Sequence, residues 1–174
     1  MRAQDHAILS LKENKDMLFE SLMHIALFTD RMEEMIRFYT DVLGGKTKAV
    51  VRYEVYKNRP DRPAMYEIAQ KDPQKIFNIY IEVAPGQFVE LFPKADGQKE
   101  HTGWNEHLGY SHYAFLCSDI FETRKILEER GLQFDTAISK GPSETYQMWA
   151  HDPDGNKFEI MQYTENSIQV KGNL

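Results

Sequence analysis

The chain has 174 residues, of which 41% are hydrophobic and 28% are charged, and its formal net charge is −6. This length and composition fit one domain, or two small fused modules, with an ordinary buried core. Acidic and basic residues are interspersed, which excludes the basic face that a nucleic-acid-binding protein needs.

The single cysteine, Cys117, excludes an internal disulfide. Residues 1–20 lack the apolar run of a signal peptide, and no stretch approaches the length of a membrane span. We therefore expect a cytoplasmic protein with a small-molecule substrate and with neither nucleic acid nor membrane as a partner. A sparse apolar stripe predicts that residues 1–20 form a helical extension.

The first half of the chain begins with an apolar strand at 22–29, which contains His24. Asp30 can cap the helix predicted over 30–43, and Gly44 and Gly45 end it. A proline-rich connection is expected at 57–74. Three more strands are predicted around it, at 47–56, 75–84 and 87–92.

The second half repeats this order after a linker at 93–108. A strand at 109–117 contains His112, and Asp119 begins a helix over 119–130. Three further strands are predicted, near 133–138, 145–151 and 156–163.

The two halves can be aligned with each other. MHIALFTD matches SHYAFLCSD, which places His24 over His112. GQFVELF matches GNKFEIM, which places Glu90 over Glu159. This internal duplication predicts an α+β fold of two tandem βαβββ modules. We place the modules at 21–94 and 107–164 of a domain spanning 21–164, followed by a C-terminal tail at 165–174.

Strand alternation places these four residues opposite their apolar neighbours. A carboxylate within an apolar strand is costly unless it is paired or bound to a metal. One strand histidine or glutamate alone is more often a core or surface residue. Together, the four predict one divalent cation held by His24, Glu90, His112 and Glu159. Strand alternation also predicts a substrate pocket on that face, although the aromatic members could equally fill the core: Phe28, Asn78, Tyr80, Phe88, Phe92 and Met161.

Four segments carry a resemblance to a known family: HIALFTDRMEEMIRFYTDVLGG, QFVELF, GYSHYAFLCSD and DPDGNKFEIMQ. They resemble the glyoxalase/bleomycin resistance/dioxygenase (vicinal oxygen chelate) superfamily over about residues 21–164. In that family, two such modules form a curved mixed-sheet cup around the metal. The resemblance implies a His/Glu/His/Glu metal shell, which is the pattern of glyoxalase I enzymes.

The resemblance also implies a reaction. We expect a metal-dependent lyase or isomerase of the glyoxalase I (lactoylglutathione lyase) type, with proton transfer through a metal-stabilised enediolate. Glu159 or Glu90 is the base, and the resemblance favours Glu159. Ni, Zn or Co is the expected ion, with Mn or Fe as alternatives, and the expected assembly is a homodimer.

Three alternatives stay open: an extradiol dioxygenase, a thiol transferase, or a non-catalytic small-molecule binding protein. Phe28 and Lys94 stand where glutathione-dependent relatives carry arginine and asparagine. These departures favour a different thiol adduct, or a sugar-like hydroxycarbonyl, as the substrate.

Overall fold

The computed structural model describes residues 18–100 and 102–173. The predicted N-terminal helical extension therefore lies, up to residue 17, outside the described residues. The chain forms two compact units, one at Leu22–His101 and the other including Thr102–Leu174.

The first unit contains a four-stranded mixed sheet. Its strands lie in the order β1-β4-β3-β2, with β1 parallel to β4 and the other neighbours antiparallel. Side chains of β1 alternate between an exposed face, which carries His24, and a more buried one, which carries Ile25. The strand bounds are β1 (His24–Thr29), β2 (Lys46–Arg52), β3 (Ile76–Ala84) and β4 (Gln87–Pro93).

One face of this sheet is covered by the predicted helix. It comprises α1 (Met32–Arg37) and a π-helical continuation, Phe38–Val42, which confirms the helical prediction. Gly44, with φ of 80°, ends the helix in a left-handed conformation, as predicted. Asp30 was wrongly predicted as the cap. Arg31 is the N-cap residue and has no side-chain capping bond, while the Asp30 carboxylate lies 3.3 Å from Lys94 Nζ.

The segment between β2 and β3 is more ordered than predicted. A 3₁₀ turn, Tyr53–Tyr56, is followed by the helix α2 (Pro63–Lys71), so the connection predicted at 57–74 contains a helix that the sequence analysis did not predict. Pro63 lies at the start of α2, where the missing N–H has no cost because the first turn has no partner for it.

The second unit repeats the sheet, in the order β5-β8-β7-β6. As in the first unit, the edge strand β5 is parallel to its neighbour β8, and the other neighbouring strands are antiparallel. The prediction of an α+β fold with two tandem modules is therefore confirmed. The elements are β5 (Tyr113–Leu116), α3 (Ile120–Glu129), β6 (Ser139–Lys140), β7 (Tyr146–His151), β8 (Lys157–Gln162) and α4 (Ile168–Lys171).

Two predicted strands of this unit differ from the structure. β5 begins at Tyr113, so His112 lies immediately before the strand, and Gly109 has a positive φ of 118° that interrupts an extended chain. Residues 133–138 are not a strand. The Thr136 hydroxyl accepts the Trp149 N–H at 3.1 Å, and Arg124 donates to the Thr136 carbonyl at 2.9 Å. The Asp135 N–H does donate to the Trp149 carbonyl at 2.8 Å, but the Thr136 hydroxyl takes the return bond from Trp149 and the ladder does not continue.

Asp119 caps α3 as predicted, accepting from the N–H groups of Phe121 and Glu122. The predicted tail carries α4 and is anchored by Ser167, which is fully buried and hydrogen bonded to Thr145 at 2.9 Å. In the described ranges, no helix is long and apolar enough to cross a membrane.

Candidate functional site

His24 and Glu90 contact each other across β1 and β4. In the parallel register, His24 lies opposite Phe88 and Ala26 lies opposite Glu90, so the two side chains share a face two residues apart. His24 Nε2 lies 3.2 Å from Glu90 Oε2. The carboxylate is buried, with Glu90 5% exposed, whereas the imidazole reaches solvent.

Glu90 has further polar partners on β3. Tyr80 is its antiparallel register partner, and Asn78 Nδ2 donates to Glu90 Oε1 in a short hydrogen bond. A hydrogen bond to Glu90 is the main cause that raises the pKa of Tyr80, and burial adds to it. The Glu90 carboxylate is therefore held by side chains from β1 and from β3.

The second unit contains an equivalent pair. Ala114 lies opposite Glu159, and His112 precedes it by two residues, which repeats the offset of the first pair. His112 Nε2 lies 3.4 Å from Glu159 Oε2, and Glu159 is 8% exposed. Burial raises the pKa of the Glu159 carboxyl, and the neighbouring His112 opposes that shift.

A hydrogen-bond network orients His112. Ser111 Oγ donates to Asn105 Oδ1 at 2.7 Å and accepts from Trp104 Nε1 at 3.2 Å. Its remaining lone pair faces His112 Nδ1 at 3.1 Å. Because a hydroxyl carries one hydrogen, this assigns the imidazole proton to Nδ1. The other ring nitrogen, Nε2, faces the Glu159 carboxylate.

The predicted pocket residues of the first unit lie around Glu90. Asn78 and Tyr80 contact it directly. On β4, Phe88 and Phe92 flank it two residues to either side, and the Phe92 ring lies 5.3 Å from that of Phe28. Phe28 is 54% exposed and so lies outside the core, whereas Phe92 is half-buried and packs against Phe77.

In the second unit, Met161 lies on β8, two residues beyond Glu159, and is half-buried. The structure thus places one His–Glu pair in each unit, His24 with Glu90 and His112 with Glu159. Within the described residues, no group of three or more histidine, cysteine or acidic side chains has the spacing that would hold a metal ion. The four-residue cation site stays a prediction.

Sequence reasoning missed the residues that surround His112. Trp149, the register partner of Glu159, places its ring 4.7 Å from the imidazole. Trp104 and Asn105 lie in the segment predicted only as a linker. Their approach to Ser111 depends on a loop in which Asn105 has a positive φ of 61°, and no strand or helix pattern signals it.

The family model of the Glyoxalase/Bleomycin resistance protein/Dioxygenase superfamily matches residues 21–160. The chain belongs to this family. A search of curated protein sequences found no significant match.

Solved structures share the fold at low sequence identity. A glyoxalase family protein from Enterococcus faecalis has a TM-score of 0.61 and 21% identity, over 83% of this chain and 99% of that one. A glyoxylase/bleomycin resistance protein/dioxygenase domain from Frankia has a TM-score of 0.59 and 18% identity, over 85% and 95%. A lactoylglutathione lyase from Agrobacterium tumefaciens has a TM-score of 0.53 and 18% identity, over 84% and 96%. At these identities the likeness concerns the fold alone.

Proposed function

We propose that the chain is a divalent-metal-dependent lyase or isomerase of the glyoxalase I type, whose cation is bound by His24, Glu90, His112 and Glu159. One observation carries this proposal. In both copies of the module, a histidine Nε2 lies within 3.4 Å of a buried glutamate at the same register offset.

The residues of both pairs fit a metal ion. A buried carboxylate needs a compensating charge, and two such carboxylates with two neutral imidazoles match Ni, Zn or Co, with Mn or Fe as alternatives. With its Nδ1 proton directed at Ser111, His112 would bind a cation through Nε2, the nitrogen that faces Glu159. Such a hydrogen bond to the far ring nitrogen is the usual support of a metal-binding histidine.

A cation bound there would supply a Lewis acid that polarises the carbonyl oxygen of the substrate. The proton chemistry belongs to the glutamates. Glu159 has one polar contact among the described residues, with His112, and is the better candidate for the base. Its carboxylate takes the proton from the carbon next to the carbonyl and returns it to the former carbonyl carbon. The substrate is therefore isomerised without net oxidation.

The surroundings of the first pair argue against glutathione as cosubstrate. Phe28 supplies an exposed ring rather than the positive charge that would pair with a glutathione carboxylate. Lys94 is engaged by Asp30 at 3.3 Å and by Glu100 at 2.6 Å. We propose a sugar-like hydroxycarbonyl, or the adduct of a different thiol, as the substrate.

The assembly and location are part of the same proposal. We propose a homodimer in the cytoplasm, which sedimentation of the purified protein and fractionation of its source cells would test. A protein that is monomeric at all concentrations would contradict the homodimer. Recovery of the protein outside the cytoplasm would contradict the proposed location.

The proposed activity is tested by loading the metal-free protein with Ni, Zn, Co, Mn or Fe and screening methylglyoxal with and without several thiols. We expect isomerisation that depends on the metal. Iron-dependent oxygen consumption would instead indicate a dioxygenase. Failure to bind any of these ions would contradict the proposal and favour a non-catalytic binding protein.

A further inference from the structure

The two candidate glutamates occupy equivalent places in the two sheets but have different neighbours. The register partner of Glu90 is Tyr80, whose hydroxyl forms a hydrogen bond with that carboxylate. The register partner of Glu159 is Trp149, which has no hydroxyl group. Its ring packs edge-to-face against His112, as the Tyr80 ring does against His24. The duplicated position therefore carries a carboxylate partner in the first unit only.

The position two residues earlier differs in the same way. In the first unit it is Asn78, whose amide donates to Glu90. In the second it is Gln147, whose side-chain amide lies close to Gly141. A Cβ added to Gly141 would be 2.9 Å from the Gln147 amide oxygen. Among the described residues, no hydrogen bond joins Gln147 to Glu159.

The burial of Asn78 indicates what this amide is for. Asn78 is 3% exposed, and its Oδ1 has no hydrogen-bond partner among the described residues. A buried acceptor without a partner destabilises the fold relative to an apolar side chain of similar size. Because its acceptor oxygen is unused, the amide is best explained by its bond to Glu90.

We propose that Asn78 and Tyr80 are positioning residues that hold Glu90 as a fixed metal ligand. This inference rests on the proposed metal-dependent function. Glu90 has Oε1 bonded to Asn78 and Oε2 facing His24, so both of its oxygens are already oriented. A carboxylate held in this way loses little conformational freedom when it binds a cation.

The test is titration of the metal-free protein with Co²⁺, which reports affinity and, through its visible absorption, the ligand geometry. Removing a hydrogen-bond partner of a metal ligand weakens affinity by about 10- to 100-fold. We expect Asn78→Leu to show a loss of this size and an altered spectrum. Tyr80→Phe should show a smaller loss in the same direction. The matched control, Gln147→Leu, should stay within about twofold of the wild type.

The outcomes separate this inference from the proposed function. Co²⁺ binding by the wild type, with Asn78→Leu and Tyr80→Phe both within about twofold of it, would overturn the positioning role and leave the metal site standing. An equal loss in Gln147→Leu would also overturn it, because the effect would then be general. A wild type that binds no Co²⁺ would refute the proposed function itself. If Asn78→Leu does not fold, Tyr80→Phe decides, since it removes a single hydroxyl group.

Discussion

The two units share one sheet topology, yet they surround their glutamates differently. Glu90 is contacted by His24, Asn78 and Tyr80, whereas Glu159 has one polar contact among the described residues, with His112. The repeat has therefore kept the backbone register and the His–Glu pair while the neighbouring positions diverged.

The largest expected effect concerns this division of roles. Glu159→Gln should lower kcat by about 10³-fold, since general acid–base catalysis contributes roughly 10²–10⁴-fold, while metal is largely retained. Glu90→Gln should instead lose metal, because it removes the fixed ligand. Steady-state kinetics and elemental analysis of both variants give the comparison. Retention of metal by Glu90→Gln and its loss from Glu159→Gln would reverse the assignment.

A second comparison concerns the cores beneath the two pairs. Leu91 and Ile160 each follow a candidate glutamate and are 0% and 3% exposed. Leu91→Ala and Ile160→Ala should each lower the free energy of unfolding by about 3 kcal/mol, because truncation leaves a cavity. Denaturant unfolding measures both. Val50→Ala, at a position 43% exposed, serves as the control. A change below about 1 kcal/mol at either core site would show that its unit is not packed as described.

The orientation of His112 gives a smaller effect. Ser111→Ala removes the acceptor for the Nδ1 proton and should weaken metal affinity by about 10-fold, or roughly 1.4 kcal/mol. Calorimetric titration with Zn²⁺ measures the change. Ser118→Ala is the control, because Ser118 is exposed and lies beyond the opposite end of β5 from Ser111. It should leave the metal affinity unaltered. Equal affinities in wild type and Ser111→Ala would argue against the tautomer assigned to His112.

The smallest effect compares two aspartates that lie between the first strand and the helix that follows it in each unit. Asp119 caps α3, so Asp119→Ala should cost about 1 kcal/mol of stability. Asp30 makes only an exposed ion pair with Lys94 among the described residues, so Asp30→Ala should cost less than about 0.5 kcal/mol. Thermal unfolding distinguishes the two, and equal losses would contradict the difference in capping.

Much of the fold could be predicted because the repeat shows it twice. Alternation along β1 and β4, and the glycine that ends α1, are local signals. The helix α2 was missed because its prolines suggested a loop, although Pro63 occupies a first-turn position that tolerates proline. The extent of β5 was overestimated because the backbone at Gly109 responds to loop geometry rather than to the apolar pattern.

The candidate site was predicted only in part. Alternation placed Asn78 and Tyr80 on the same face as Glu90, but their hydrogen bonds depend on the register between β3 and β4, which one strand cannot reveal. The network of Ser111 with Asn105 joins a strand end to a loop and has no periodic signal. That the two His–Glu pairs share one cation stays a prediction, because neither the side-chain alternation along the strands nor the strand register tests it.

The most direct test of the shared cation is the metal content of purified His24→Ala and His112→Ala beside the wild type. The account predicts one divalent ion per chain in the wild type and loss of most of it from both variants, since each unit would supply half of the ligands. Full metal content in either variant, or none in the wild type after loading, would contradict it.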